Sequence, residues 1–116
     1  APQPTSGIIQ AWLQCCLDTK DRAEAERAWS FMHEQDIIPT ATCFERMARM
    51  HLMQEQYEEA FTLLEQTKQC ALVPTRRMYA AMIWTCWQHN DERWRDLMQE
   101  MQEARYEPGE RLRALS

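Results

Sequence analysis

The stretch IIPTATCFERMA at residues 37–48 decides the fold, because a close counterpart, LVPTRRMYAAMI, begins 35 residues later at residue 72. The stretch PQPTSGIIQAWL at residues 2–13 has the same pattern one period earlier. Each copy places a proline and a threonine in front of a run with regularly spaced apolar residues. A period of this length is typical of proteins built from stacked helix pairs. The sequence therefore predicts a helical-repeat protein.

Prolines and apolar residues recur with the same period. Pro4, Pro39, Pro74 and Pro108 are separated by 35, 35 and 34 residues. In the first helix of each unit, the matching apolar positions are Ile8, Cys43 and Met78; Ile9, Phe44 and Tyr79; Trp12, Met47 and Met82; and Leu13, Ala48 and Ile83. In the second helix they are Ala25, Ala28, Trp29 and Met32; Ala60, Leu63, Leu64 and Thr67; and Trp94, Leu97, Met98 and Met101. Steps of one, three, four and five residues place each set on one face of a helix.

Capping residues divide each unit into two helices. Asp21 followed by Glu24 has the spacing of a capping box, and Thr5, Thr40 and Thr75 can each cap the helix that follows. A proline inside a helix costs about 3 kcal/mol, so each second helix must end before the repeat proline. We expect helices at residues 6–18, 21–35, 41–53, 56–70, 76–89 and 91–105, with a seventh beginning near Gly109.

The predicted fold class is all-α: an α-solenoid of three antiparallel helix–turn–helix repeats, plus the start of a seventh helix. The repeats cover residues 6–40, 41–75 and 76–109 of a single domain spanning residues 1–116, and residues 110–116 form a C-terminal cap. One helix pair cannot bury both of its apolar faces, so stability requires about three stacked repeats. The last repeat is only partly covered, and we expect another subunit or a further segment against it.

Composition restricts the classes of function. The 116 residues include 45% apolar and 27% charged residues, only two glycines, and a formal net charge of −5. Proteins that follow a phosphate backbone are usually basic, so the charge argues mildly against nucleic acid as the sole partner. Five cysteines without a CxxC pair favour reduced thiols in a reducing compartment. No run of apolar residues is long enough to cross a bilayer.

The repeat resembles the pentatricopeptide repeat, a unit of about 35 residues, over essentially the whole chain from Pro4 to Ser116. The shared features are an aromatic or aliphatic residue early in the first helix, a small residue in the second helix, a Met near its end, and a closing segment. They are carried by Ile9, Phe44 and Tyr79; Ala25 and Ala60; Met32 and Met101; and IIPT, LVPT and YEPG. The tetratricopeptide repeat, with a period of 34, is the competing interpretation. It normally has Gly in the middle of the first helix, where this chain has Leu13, Ala48 and Ile83.

The resemblance implies binding of single-stranded RNA in mitochondria or chloroplasts, one base per repeat. The base-reading pairs would be Gln10 with Thr40, Glu45 with Thr75, and Ala80 with Gly109. Members that read bases usually have Asn, Thr or Ser at the first place and Asp or Asn at the second, and none of these pairs fits. A Lys that many members aim at phosphate is replaced by Asp18, Met53 and Gln88. We therefore expect no sequence-specific reading of RNA.

Arginines and tryptophans supply the candidate groove contacts, which are Arg46, Arg49, Arg76, Arg77, Trp84 and Trp87. The arginines could contact RNA phosphate or an acidic protein surface, or they could form a solvated face. Trp87 could equally fill a gap between repeats. Trp84 is the better candidate for an exposed anchor, because Trp is enriched at the centres of interfaces.

Catalytic chemistry is not predicted. His33, His51 and His89 have no partner at metal-ligand spacing, and the chain has no glycine-rich phosphate loop. We expect no enzyme activity, cofactor, metal or small-molecule substrate.

The leading hypothesis is a scaffold or docking subunit of an organellar ribonucleoprotein assembly, for example a mitochondrial ribosome. It would lie in the mitochondrial matrix, or alternatively the chloroplast stroma, and bind protein subunits, with no membrane partner. Any contact with organellar RNA would be through its backbone or by stacking. A pure protein–protein adaptor and a fragment of a longer sequence-specific RNA-binding factor are the alternatives.

Overall fold

Seven helices make up the regular structure of residues 5–115, the part of the chain that the computed structural model describes. They are α1 (Ser6–Thr19), α2 (Arg22–Glu34), α3 (Ala41–Met53), α4 (Tyr57–Gln69), α5 (Arg76–Gln88), α6 (Arg93–Glu103) and α7 (Glu110–Arg113). This range contains no strand, which confirms the all-α prediction, and the predicted bounds agree to within two residues. Pro4 and Ser116, the ends of the predicted repeat region, lie outside the described residues.

Side-chain caps fix where the helices begin. The hydroxyl oxygens of Thr40 and Thr75 accept hydrogen bonds from the backbone N–H three residues on, at 3.3 and 3.0 Å, and the carboxylate of Asp21 accepts one from Glu24 at 3.0 Å. Thr5 is the N-terminal cap residue of α1, but its side chain makes no capping hydrogen bond. All four predicted capping residues are thus confirmed at the start of a helix, and three of the four make the capping hydrogen bond with their side chains.

Residues with left-handed backbone conformation fix where the six long helices end. Their φ angles lie between 53° and 68°, and they are Lys20, Glu55 and Asn90 after the first helices and Asp36, Ala71 and Arg105 after the second. The next backbone N–H bonds back across five residues, for example from Asp21 to the carbonyl of Cys16 at 2.9 Å. This is the Schellman motif, which satisfies the last carbonyls of a helix. It recurs every 35 residues after the first helices, and at intervals of 35 and 34 residues after the second, which matches the period of the prolines.

Contacts between helices group the chain into two compact units, residues 1–74 and residues 75–116. In the first unit, α1 packs against α2 and α3, and α3 packs against α2 and α4. Each first helix therefore contacts its own second helix, and the two first helices contact each other, which is consistent with a helical repeat. Trp29 of α2 joins this core by packing edge-on against Phe44 of α3, with 5.5 Å between ring centroids.

The second unit is built around α5, which packs against α6 and α7. Its core residues are Met78, Tyr79, Met82, Ile83, Cys86, Leu97, Met101, Leu112 and Leu115, each at most 6% exposed. α7 has only four residues, but Leu112 and Leu115 anchor it. No helix in residues 5–115 is long and apolar enough to cross a membrane.

Candidate functional site

In the first predicted base-reading pair, the side chains of Gln10 and Thr40 are hydrogen-bonded to each other. The hydroxyl of Thr40 donates a hydrogen bond to the side-chain oxygen of Gln10 at 2.8 Å. Its oxygen also accepts from the backbone N–H of Cys43, as the cap of α3. The guanidinium of Arg46 donates to the backbone carbonyl of Gln10 at 2.6 Å. The polar atoms that would face a base therefore bind each other and the backbone of α1.

The second predicted pair has a buried carboxylate at its first position. Glu45 is only 6% exposed, and Nη1 of Arg49 lies 3.3 Å from its carboxylate oxygen. Thr75 caps α5 by accepting from the backbone N–H of Met78. Both side chains already have structural partners within their own units.

The third predicted pair offers no side-chain hydrogen-bonding group. Ala80 is half-buried on α5, and Gly109 is the N-terminal cap residue of α7, with a φ of −70°. A Cβ atom at Gly109 would lie 3.6 Å from Nη2 of Arg76, which is an ordinary contact. This pair cannot recognise the edge of a base with its side chains.

Three of the four candidate arginines make contacts with other residues of the chain. Arg46 binds the carbonyl of Gln10, and its Nε atom is buried without a hydrogen-bond partner. Arg49 pairs with Glu45, and Nε of Arg76 donates to the carbonyl of Glu107 at 2.9 Å. Arg46 and Arg49 are half-buried, whereas Arg76 is exposed, so the solvated face stays a prediction for Arg76 and Arg77. Arg77 is exposed on α5.

The two candidate tryptophans are stacked on each other. The ring centroids of Trp84 and Trp87 lie 5.4 Å apart with an interplanar angle of 25°, and the guanidinium carbon of Arg111 lies 3.8 Å from the ring centroid of Trp84. Trp84 is half-buried between these partners, whereas Trp87 is 43% exposed. The expectation that Trp84 is the exposed anchor is thus reversed, because α7 brings Arg111 onto its ring.

A cavity of about 470 Å³ adjoins the exposed indole of Trp87. Its lining residues are Trp87, Gln88, Asn90, Glu92, Trp94 and Arg95. The guanidinium of Arg95 lies 5.4 Å from the ring centroid of Trp94. The two indoles share this lining with two amides, a carboxylate and a guanidinium, so the cavity is polar and apolar in about equal parts. Sequence reasoning missed the parts played by Trp94, Arg95 and Arg111; the only sequence signal was a Trp at a repeat position that holds Ala in the other units.

Histidines and cysteines form no metal-binding group in the described part of the chain. Nδ1 of His51 lies 2.9 Å from the side-chain amide of Gln56, and His33 packs edge-on against Trp29. All five cysteines are free, with Cys15 and Cys70 exposed. Burial, with smaller contributions from Glu24 and Asp21, raises the pKa of the Cys16 thiol and disfavours its thiolate.

No protein-family model matches the chain, and no curated protein matches it at a significant level.

Proposed function

We propose that this chain is a non-catalytic scaffold of the pentatricopeptide kind that docks within an organellar ribonucleoprotein assembly, for example a mitochondrial ribosome. In this proposal its three helix pairs stack as a solenoid, and it works in the mitochondrial matrix, with the chloroplast stroma as the alternative. It is held by protein contacts and touches RNA only through backbone or stacking contacts. The observation that carries the proposal is the hydrogen bond from Thr40 to Gln10.

That hydrogen bond opposes base reading in the first unit. A base at this position would have to replace a bond worth about 1 kcal/mol, and Gln10 would still be tied to Arg46 through its backbone carbonyl. A good base contact discriminates by only about 1–3 kcal/mol. Because Ala80 and Gly109 offer no side-chain hydrogen bond at all, too little discrimination is left for a code. Docking to another protein does not require hydrogen bonds from the base-reading positions.

The distribution of charge also favours docking to protein over the reading of RNA bases. Residues 1–74 contain six basic and eleven acidic residues, whereas residues 75–116 contain seven of each. The first unit therefore repels a phosphate backbone, and the second is neutral on balance. The buried carboxylate of Glu45 adds a local cost to any base that would approach it.

The proposal is tested by purifying a tagged chain from mitochondria with and without nuclease treatment. We expect its protein partners to remain bound after the RNA is digested, and organelle fractionation to place the chain in the matrix. The proposal fails if nuclease releases all partners. It also fails if the purified chain binds one short RNA much more tightly than a scrambled RNA of equal length.

A pure adaptor that never contacts RNA is the second candidate. It is favoured by the contacts that Arg46, Arg49 and Arg76 make with other residues of the chain; Arg76 and Arg77 are the exposed members of the set. Ultraviolet crosslinking of the assembled complex separates the two candidates. Crosslinks from RNA to this chain that disappear in Arg77→Glu support the ribonucleoprotein subunit, and a complete lack of crosslinks supports the adaptor.

A further inference from the structure

The side chain of Gln56 lies between a guanidinium and an imidazole in the first unit. Gln56 is the N-terminal cap residue of α4, although its side chain makes no capping hydrogen bond. Two nitrogens of the Arg22 guanidinium lie 2.8 and 2.9 Å from one end of its amide group, and Nδ1 of His51 lies 2.9 Å from the other end. Arg22 begins α2, and His51 lies in the last turn of α3. These three residues, here called the amide bridge, connect the first helix pair to the second.

Hydrogen-bond chemistry fixes the direction of each contact in the amide bridge. A guanidinium only donates, so the amide oxygen of Gln56 faces Arg22 and accepts both of its hydrogen bonds. The amide nitrogen is thereby assigned to the side of His51 and donates to Nδ1. Nδ1 accepts only when it carries no proton. The amide bridge therefore requires a neutral imidazole with its proton on Nε2.

Protonation of His51 conflicts with this arrangement. An imidazolium donates from both ring nitrogens, so its Nδ1–H would face the N–H groups of the Gln56 amide. Turning the amide around would present its oxygen to His51, but it would then present its N–H groups to the Arg22 guanidinium. In either orientation two donors face each other, and one of the two contacts is lost.

No charged group around His51 resolves this conflict. α3 packs against α1, α2 and α4. From α2, the Arg22 guanidinium repels an imidazolium, and Glu26 offsets only part of that repulsion because it is paired with Arg22 at 3.2 Å. The charged residues at the end of α1 and around the start of α4 are all exposed: Asp18, Lys20, Asp21, Glu55, Glu58 and Glu59. In the part of the chain that the structure describes, none of them forms an ion pair with His51. Exposed carboxylates favour an imidazolium only weakly, and Cys16 and Tyr57, the other titratable groups in these segments, are uncharged near neutral pH.

We propose that the amide bridge is a pH-sensitive link between the first two helix pairs, which is closed when His51 is neutral and opens when His51 is protonated. The folded state prefers the neutral imidazole, so the contribution of the link to stability is present at high pH and is lost as pH falls. Histidine is the side chain that ordinarily changes its charge between about pH 5 and pH 8, so the link opens on mild acidification. This inference is independent of the proposed docking function.

Heteronuclear NMR of the nitrogen-labelled 116-residue chain tests the protonation state directly. Correlations between the ring protons and the ring nitrogens distinguish the two neutral tautomers of His51. We expect Nδ1 to carry no proton at pH 8, as the contact with Gln56 requires. A proton on Nδ1 at this pH overturns the proposal. The measurement uses the parent chain, so its result does not depend on how well a variant folds.

Urea unfolding at pH 7.5 and pH 5.5 measures the contribution of the link to stability. His51→Gln keeps an oxygen that can accept from Gln56 but does not titrate. On acidification, we expect the unfolding equilibrium constant of the parent to rise about fivefold more than that of His51→Gln, which is the loss of one ordinary hydrogen bond. His33→Gln is the matched control, because His33 packs edge-on against Trp29 outside the amide bridge, and it should behave like the parent. Equal responses of the parent and His51→Gln contradict the proposal, and so does a response of His33→Gln that equals that of His51→Gln.

Gln56→Glu should reverse the sign of the pH dependence. A carboxylate at this position accepts from Arg22 on one side and from a protonated His51 on the other, so both contacts persist at pH 5.5. We expect acidification from pH 7.5 to pH 5.5 to increase the stability of Gln56→Glu relative to the parent, measured by the same urea unfolding. If the variant loses as much stability as the parent, the amide is not the cause of the pH dependence and the proposal fails.

Discussion

Among single residues, the six left-handed helix ends are the positions where the sequence departs most from what the backbone favours. For L residues this conformation costs roughly 1–2 kcal/mol, and Gly is the residue that avoids the cost. Asp36 and Asn90 are residue types that tolerate it comparatively well, and none of the six is Gly. The other four positions carry local strain, and Ala71, with a φ of 60°, has no side-chain hydrogen bond that could compensate.

Replacement of Ala71 by Gly should therefore stabilise the protein. We expect a gain of about 1 kcal/mol in the free energy of unfolding, less the larger entropy of Gly in the unfolded chain. The measurement is urea unfolding followed by circular dichroism. Asn90→Gly is the matched control, because Asn already tolerates this conformation, and its gain should be smaller. A larger gain at Asn90 than at Ala71 would show that conformational strain is not the cause.

Asp91 is the residue whose contribution to stability should depend on pH. Hydrogen bonds from the side chain of Arg93, as short as 2.6 Å, lower the pKa of its carboxyl below the ordinary 3.8. A lowered folded-state pKa stabilises the protein above the ordinary value, and this contribution is lost as pH falls through the folded value. Asp91→Asn should therefore be less stable than the parent at pH 7, and the difference should shrink below about pH 3.8. Unfolding midpoints measured from pH 7 to pH 2 test this, and a difference independent of pH contradicts it.

At the scale of the helices, Thr40 links a cap to a contact between two helices. Thr40→Ala removes the capping bond to Cys43 and the bond to Gln10 together, and we expect it to lower the free energy of unfolding by roughly 1–2 kcal/mol. Thr5→Ala is the matched control, because Thr5 occupies the same repeat position without a side-chain capping bond. Its effect should be close to zero. Similar costs for the two changes in urea unfolding would mean that the geometry at Thr40 has no special role.

The helices were predictable from the sequence because their signals are local and repeated three times. The period set by Pro39 and Pro74, with a capping residue directly after each, places helix ends to within two residues. The contacts that shape the candidate surfaces are of another kind. The bond between Thr40 and Gln10 spans 30 residues, and the stacking of Arg111 on Trp84 depends on how α7 folds back. Residue spacing does not predict such contacts. For this reason the sequence pattern indicated Trp84 as the exposed tryptophan, whereas Trp87 is the exposed one.

At the scale of the whole molecule, Met32, Thr67 and Met101 occupy the same position in the three repeats and are all completely buried. The smaller Thr67 satisfies its hydroxyl by donating to the carbonyl of Leu63 in its own helix, at 2.7 Å. The same repeat position is therefore part of the buried core in each of the three helix pairs. Cutting a Met to Ala there leaves a cavity, and such losses cost roughly 2–5 kcal/mol.

Met32→Ala and Met101→Ala should therefore act on the unit that contains them. We expect Met32→Ala to lower amide hydrogen-exchange protection in α1 and α2, and Met101→Ala to lower it in α5 and α6, because these are the helices packed around each side chain's own repeat. Ile38→Ala is the control, since Ile38 is a large apolar residue that is 83% exposed, and its substitution should change stability by less than about 0.5 kcal/mol. If Met101→Ala left protection in α5 and α6 intact, the second unit would not depend on the repeated buried position. In that case, the repeat period would predict where the helices lie but not which buried residues stabilise the core.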